Sequence, residues 1–100
     1  MTTPSANQIY TFKMTTGEEI VAKIVSISDD HLIVSHPILC ALSPNGLQMM
    51  PGLFSAKMEQ DVRLNTNNIV MIAETREDVR TNWYQATTGI VPISRSIITG

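Results

Sequence analysis

The chain has 100 residues, 43% of them hydrophobic and 16% charged, which suits one domain with a core of its own and excludes two. An average domain carries about a quarter charged residues, so the low charge points to surface hidden in an assembly. The net charge of -2 and pI of 5.5 count against broad, charge-driven nucleic-acid binding but leave room for local contacts to unpaired bases.

Met1–Asn7 is small and polar, contains Pro4, and reads as a flexible arm rather than a signal peptide. In Gln8–Met14 the residues Tyr10, Phe12 and Met14 alternate with period two and predict a strand. Thr15–Glu18 is a turn, with Gly17 free to take positive φ. Glu19–Ser28 is apolar on both faces, with Ile20, Ala22 and Ile24 on one side and Val21, Val25 and Ile27 on the other. Such a strand is either covered on both sides or strongly bent.

Ser28-Asp29-Asp30 predicts a tight turn. His31–Leu42 is a third strand, and Pro37 within it calls for a bulge or bend because proline donates no ladder hydrogen bond. Ser43-Pro44-Asn45-Gly46 is a turn with Asn-Gly as its favoured dipeptide, and Leu47–Gly52 continues as loop or short hairpin. Within it Met49 and Met50, with Leu47 and Leu53, suggest an interaction surface. Leu53–Leu64 alternates Phe54, Ala56, Met58, Val62 and Leu64 with polar residues, which predicts a half-buried fourth strand. Asn65–Asn68 is a polar turn, and Ile69–Ala73 is a short fifth strand that is apolar on both faces.

A helix is expected over 75–88, with Thr75 as its cap and Asp78 in a capping-box position. Val79, Trp83, Ala86 and Ile90 form an apolar stripe, and Gly89 marks the stop. Residues 90–100 read as an extended tail. Met14, Met58 and Met71 are expected to fill the core.

Five short strands, the second bent, predict a mostly-β small barrel over 8–73 with a C-terminal helix. Gly17-x-x-Ile20-x-Ala22-x-Ile24 resembles the first motif of Sm and LSm proteins, and Leu64-Asn65-Thr66-Asn67-Asn68-Ile69-Val70-Met71-Ile72 resembles the second. The chain is thus similar to the Sm-like (Sm, LSm, Hfq) family, with Ala22 in place of the second glycine, Asn65-Thr66 in place of Arg-Gly, and the helix after the barrel. That divergence and the small size suit a phage protein.

The resemblance implies a five-stranded Sm-like (SH3-like) barrel that closes into a homo-oligomeric ring of five to eight subunits, pentamer to heptamer favoured. The fourth strand of one subunit would pair with the fifth of the next. It also implies single-stranded RNA at the pore, with His31 stacking on a base, Asn65 or Asn67 bonding a base edge, and Arg63 near a phosphate. The plainer reading makes Asp29, Asp30, Asn67 and Asn68 turn residues bonded to their own backbone, His31 a surface residue, and Arg63 a solvated one. A protein-binding adaptor ring without nucleic acid is the alternative, favoured by the acidic balance and the missing Arg-Gly.

No nucleophile motif surrounds a serine, no glycine-rich phosphate loop occurs, and the single cysteine, Cys40, leaves no zinc-ligand spacing or internal disulfide. Neither an enzyme, a cofactor nor a metal is therefore expected. His31 and His36 would face opposite sides of a regular strand. With no apolar run long enough to cross a membrane, a cytoplasmic location is the default.

Overall fold

The structure is a computed structural model that describes residues 3–88 and 96–97. Over these residues the chain is mostly strand, arranged as one open antiparallel sheet with one short helix near its C-terminal end. The strands are β1 (Ile9–Met14), β2 (Glu19–Ile27), β3 (His31–Ser43), β4 (Gly46–Pro51), β5 (Val62–Asn65), β6 (Ile69–Glu74) and β7 (Ser96–Ile97). The helix α1 spans Glu77–Thr87, and a single 3-10 turn, Thr66–Asn68, joins β5 to β6. Neighbours run β6-β1-β2-β3-β4-β7, and β5 also pairs with β3.

Local chemistry sets the first hairpin. Gly17 takes φ 94°, and Met14 donates its N–H to the Glu18 carbonyl at 2.8 Å. Phe12 then pairs with Ile20 and Tyr10 with Ala22. The second strand is bent as its two-sided apolar pattern predicts. Its register against β3 shifts twice, once between Val21 and Lys23 and again between Ile24 and Ser26.

The first shift places His36 and Pro37 together opposite Ala22, and His36 takes φ 49°. This is the irregularity that Pro37 called for. One extra residue exchanges the faces of everything beyond it. Leu32 and Val34 therefore enter one core, with Tyr10, Phe12, Ala22 and Ile24. Ile38 and Cys40 enter the other, with Ile9, Val21, Met49, Val79 and Trp83. The helix covers this second core through the predicted spacing of Val79, Trp83 and Ala86. Trp83 anchors it at the kink by donating Nε1–H to the His36 carbonyl at 2.9 Å.

Several expectations are corrected. The fourth predicted strand, Leu53–Leu64, forms only over Val62–Asn65, and residues 53–61 are an exposed loop. The β3 edge it would have extended along is already taken beyond Val34. β4 occupies the β3 edge from Ile38 to Ser43, and β5 occupies it from His31 to Val34. Phe54 accordingly lies 79% exposed. Met49 is a core residue of β4 rather than part of a loop surface, because Leu47–Met50 is a strand with Met49 facing α1.

Met58 and Met71 do not fill the core: both are exposed, Met58 in the irregular loop and Met71 on the outer side of β6. The β3–β4 turn has Pro44 and Asn45 at its corners, and the positive φ, 114°, falls on Gly46. Thr75 does not cap the helix. Arg76 is the N-cap residue, and the Thr75 hydroxyl bonds that of Thr11 at 3.0 Å instead. Gly89, Ile90, Met1, Thr2 and the tail other than Ser96–Ile97 lie outside the described residues. Among the described residues no helix is long and apolar enough to cross a membrane.

Candidate functional site

The start of β3 and the end of β5 lie side by side, with His31 opposite Asn65 and Ile33 opposite Arg63. Alternation makes this local geometry consistent. Leu32, Val34, Val62 and Leu64 turn to the core, so His31, Arg63 and Asn65 share the opposite face. Two backbone bonds fix the neighbouring turns. Ser28 donates to the His31 carbonyl at 2.9 Å, and Thr66 donates to the Asp30 carbonyl at 3.1 Å. The 3-10 turn is also tied to the first hairpin, where Thr15 donates to the Asn68 carbonyl at 2.8 Å.

Asp30 sits at the centre of this cluster. One carboxylate oxygen, Oδ1, lies 2.7 Å from His31 Nδ1, and the other, Oδ2, lies 3.8 Å from Arg63 Nη2. The hydrogen bond from His31, joined by the nearby Arg63 charge, holds the Asp30 carboxyl below the usual aspartate range. Asp30 and Arg63 are 73% and 58% exposed along their side chains, whereas His31 is only 21% exposed. The histidine is therefore the most buried of the three.

Of the residues picked out from sequence, the structure brings together His31, Arg63 and Asn65. Asn67 lies two residues on, in the 3-10 turn, and its side chain hydrogen-bonds to none of them. Neither the Asn65 nor the Asn67 amide is held by a hydrogen bond to the described residues. Sequence reasoning missed Asp30 as a site residue by assigning it to its own turn. The signal available was its position next to His31, but its link to Arg63 depends on the β3–β5 register.

A groove of about 340 Å³ between the start of α1 and the sheet is lined by Thr11, Val21, Cys40, Leu47, Arg76 and Val79, among others. Burial, helped by the Glu19 charge, pushes the Cys40 thiol up to about 12, so it stays protonated and is a poor nucleophile near neutral pH. No group of three or more potential metal-binding side chains occurs among the described residues.

Compared with known proteins, the chain matches no family model, no curated protein and no solved structure.

Proposed function

We propose that the chain is one subunit of a Sm-like ring that holds single-stranded RNA at its pore, with one Asp30–His31–Arg63–Asn65 site per subunit. The observation that carries this reading is the convergence of His31, Arg63 and Asn65 on one face of the β3–β5 pair. In it a half-buried imidazole offers its face for stacking, an unengaged amide reads a base edge, and a guanidinium stands ready for phosphate. The strand order β6-β1-β2-β3, with β5 on β3 and a 3-10 turn between β5 and β6, is consistent with a small five-stranded barrel to which β4 and β7 are additions.

The ring is supported by unused edges. β5 pairs only with β3, and β6 pairs only with β1, among the described residues. Val70 and Met71 of β6 are 58% and 61% exposed. An apolar strand with an open edge is an aggregation hazard. Pairing β5 of one copy with β6 of the next would satisfy both edges around a closed ring.

The test is light scattering together with titration of labelled U-rich and A-rich RNA across salt concentrations. A closed oligomer that binds RNA, with His31→Ala or Asn65→Ala weakening affinity about tenfold, is the expected result; stacking of one base contributes enough for that. A stable monomer overturns the ring. An oligomer that binds no RNA even at low salt favours the adaptor reading, for which the exposed Asp30 carboxylate and the net charge of -2 already speak.

A further inference from the structure

We infer that the loop 53–61 of one copy docks in the open groove beside α1 of the next, with Phe54 as its anchor. The inference rests on the ring reading above and adds a second contact to each joint between copies.

The loop is held at its base and bare at its tip. Gly52 donates its N–H to the Pro37 carbonyl at 2.8 Å, and a side chain on Gly52 would stand 3.0 Å from that oxygen. Leu53 and Met58 lie against His36, Pro37 and Val62. His36 in turn meets the Trp83 ring at right angles, with centroids 6.0 Å apart. The loop therefore sits at the kink, beside the helix-bearing face. Phe54 takes no part in that packing and stands in solvent. An anchored base lowers the ordering cost of using the tip for binding.

The groove is the matching hollow. The helix leaves part of its sheet face open, with buried Val21 and Cys40 as the floor and exposed Leu42 and Ala73 at the sides. Its volume of about 340 Å³ has room for one aromatic side chain. No residue that lines the groove also packs against the loop within one chain.

The proposed joint brings the two together. Every strand pair in the sheet is antiparallel. Antiparallel pairing of β5 with the β6 of the next copy sets Val62 beside the Glu74 end and Asn65 beside the Ile69 end. The loop runs directly into Val62, and Ala73 and Glu74 border the groove. The loop of one copy thus arrives at the mouth of its neighbour's groove. The charges agree. Lys57, three residues past Phe54, and Glu74 are both exposed, and neither has an ion-pair partner among the described residues. Arg76 on the same rim can meet Glu59 of the loop. A knob and a hollow on different sides of one chain make a head-to-tail contact, the kind that builds a ring.

The test is a concentration series in the analytical ultracentrifuge. Phe54→Ser should weaken association at least about thirtyfold, as loss of an aromatic anchor does. Lys57→Glu and Glu74→Lys should each weaken it about fivefold. The double variant, with the charges exchanged, should return to within about twofold of the wild type. All three positions are exposed, so circular dichroism should be unchanged in every variant. In a Cys40→Ala background, Phe54→Cys combined with Ala73→Cys should give a ladder of covalent multimers with a short bis-maleimide, extending past the dimer. A wild-type oligomer that Phe54→Ser leaves intact, a double variant no better than the single ones, or a ladder that stops at the dimer overturns the inference. The first two of these results leave the β5–β6 ring standing. A wild-type monomer overturns the ring and the docked loop together.

Discussion

The two faces of the sheet are buried by different means. On one face Tyr10, Phe12, Ala22, Ile24, Leu32 and Val34 are closed over by the sheet's own neighbours, with Val62 and Leu64 of β5 and Ile69 and Ile72 of β6 packed against them. On the other face Ile9, Val21, Ile38, Cys40 and Met49 are covered by Val79 and Trp83 of the helix. The first core depends on strands distant in sequence coming together, and the second on one short helix docking at one kink. An 11-residue helix is marginal by itself in water, so the second core and the helix stabilise each other. The first core, by contrast, is built into the sheet that carries His31 and Asn65.

Three experiments sharpen that contrast. The largest expected effect is on the self-covered face. Phe12 is fully buried, and Phe12→Ala should cost about 3–5 kcal/mol in urea unfolding, with loss of sheet and helix together. A loss below about 1 kcal/mol would show that this core is loosely packed.

Next comes a pH effect on the helix-covered face. The Cys40 thiol, pushed up to about 12 from 9.0, resists ionisation when folded and ionises readily when unfolded. The folded pKa is the higher one, so its contribution is complete below about pH 9 and disappears as pH rises toward 12. That removes up to about 4 kcal/mol, at 1.36 kcal/mol for each pKa unit. Cys40→Ala should therefore lose less stability than the wild type between those pH values in parallel urea titrations. Equal losses would mean that the helix already lets water reach the thiol.

The smallest effect is expected at the helix anchor. Trp83→Phe keeps most of the apolar contact but leaves the His36 carbonyl without its donor, at a cost of about 1–2 kcal/mol. Circular dichroism should show helix signal lost before strand signal as urea rises. Simultaneous loss would make the two cores one cooperative unit.

The same contrast explains what the sequence revealed. The self-covered face is written in period-two alternation, and Tyr10, Phe12, Ala22 and Ile24 all fall where that alternation places them. The helix stripe was equally readable because Val79, Trp83 and Ala86 keep helical spacing. Leu53–Ala56 and Met58 carry a strand-like pattern too, yet alternation states only which side would be buried if a partner edge existed. Whether an edge is free depends on β4 and β5 dividing β3 between them, which no local pattern encodes. The candidate site shows the same division. His31, Arg63 and Asn65 stood out by residue type and motif position, whereas the role of Asp30 needed the β3–β5 register to bring Arg63 across from Ile33.

The break at His36–Pro37 has a practical consequence. It splits the 13-residue β3 into two arms that share β2 but differ in their second partner, β5 for the inner arm and β4 for the outer, and it puts the Pro44–Asn45 tip at the far end of the strand from His31. A fluorophore or short affinity peptide inserted at that tip would load only the outer arm. The protein therefore carries its own attachment point, from which events at His31 can be watched without touching the inner arm.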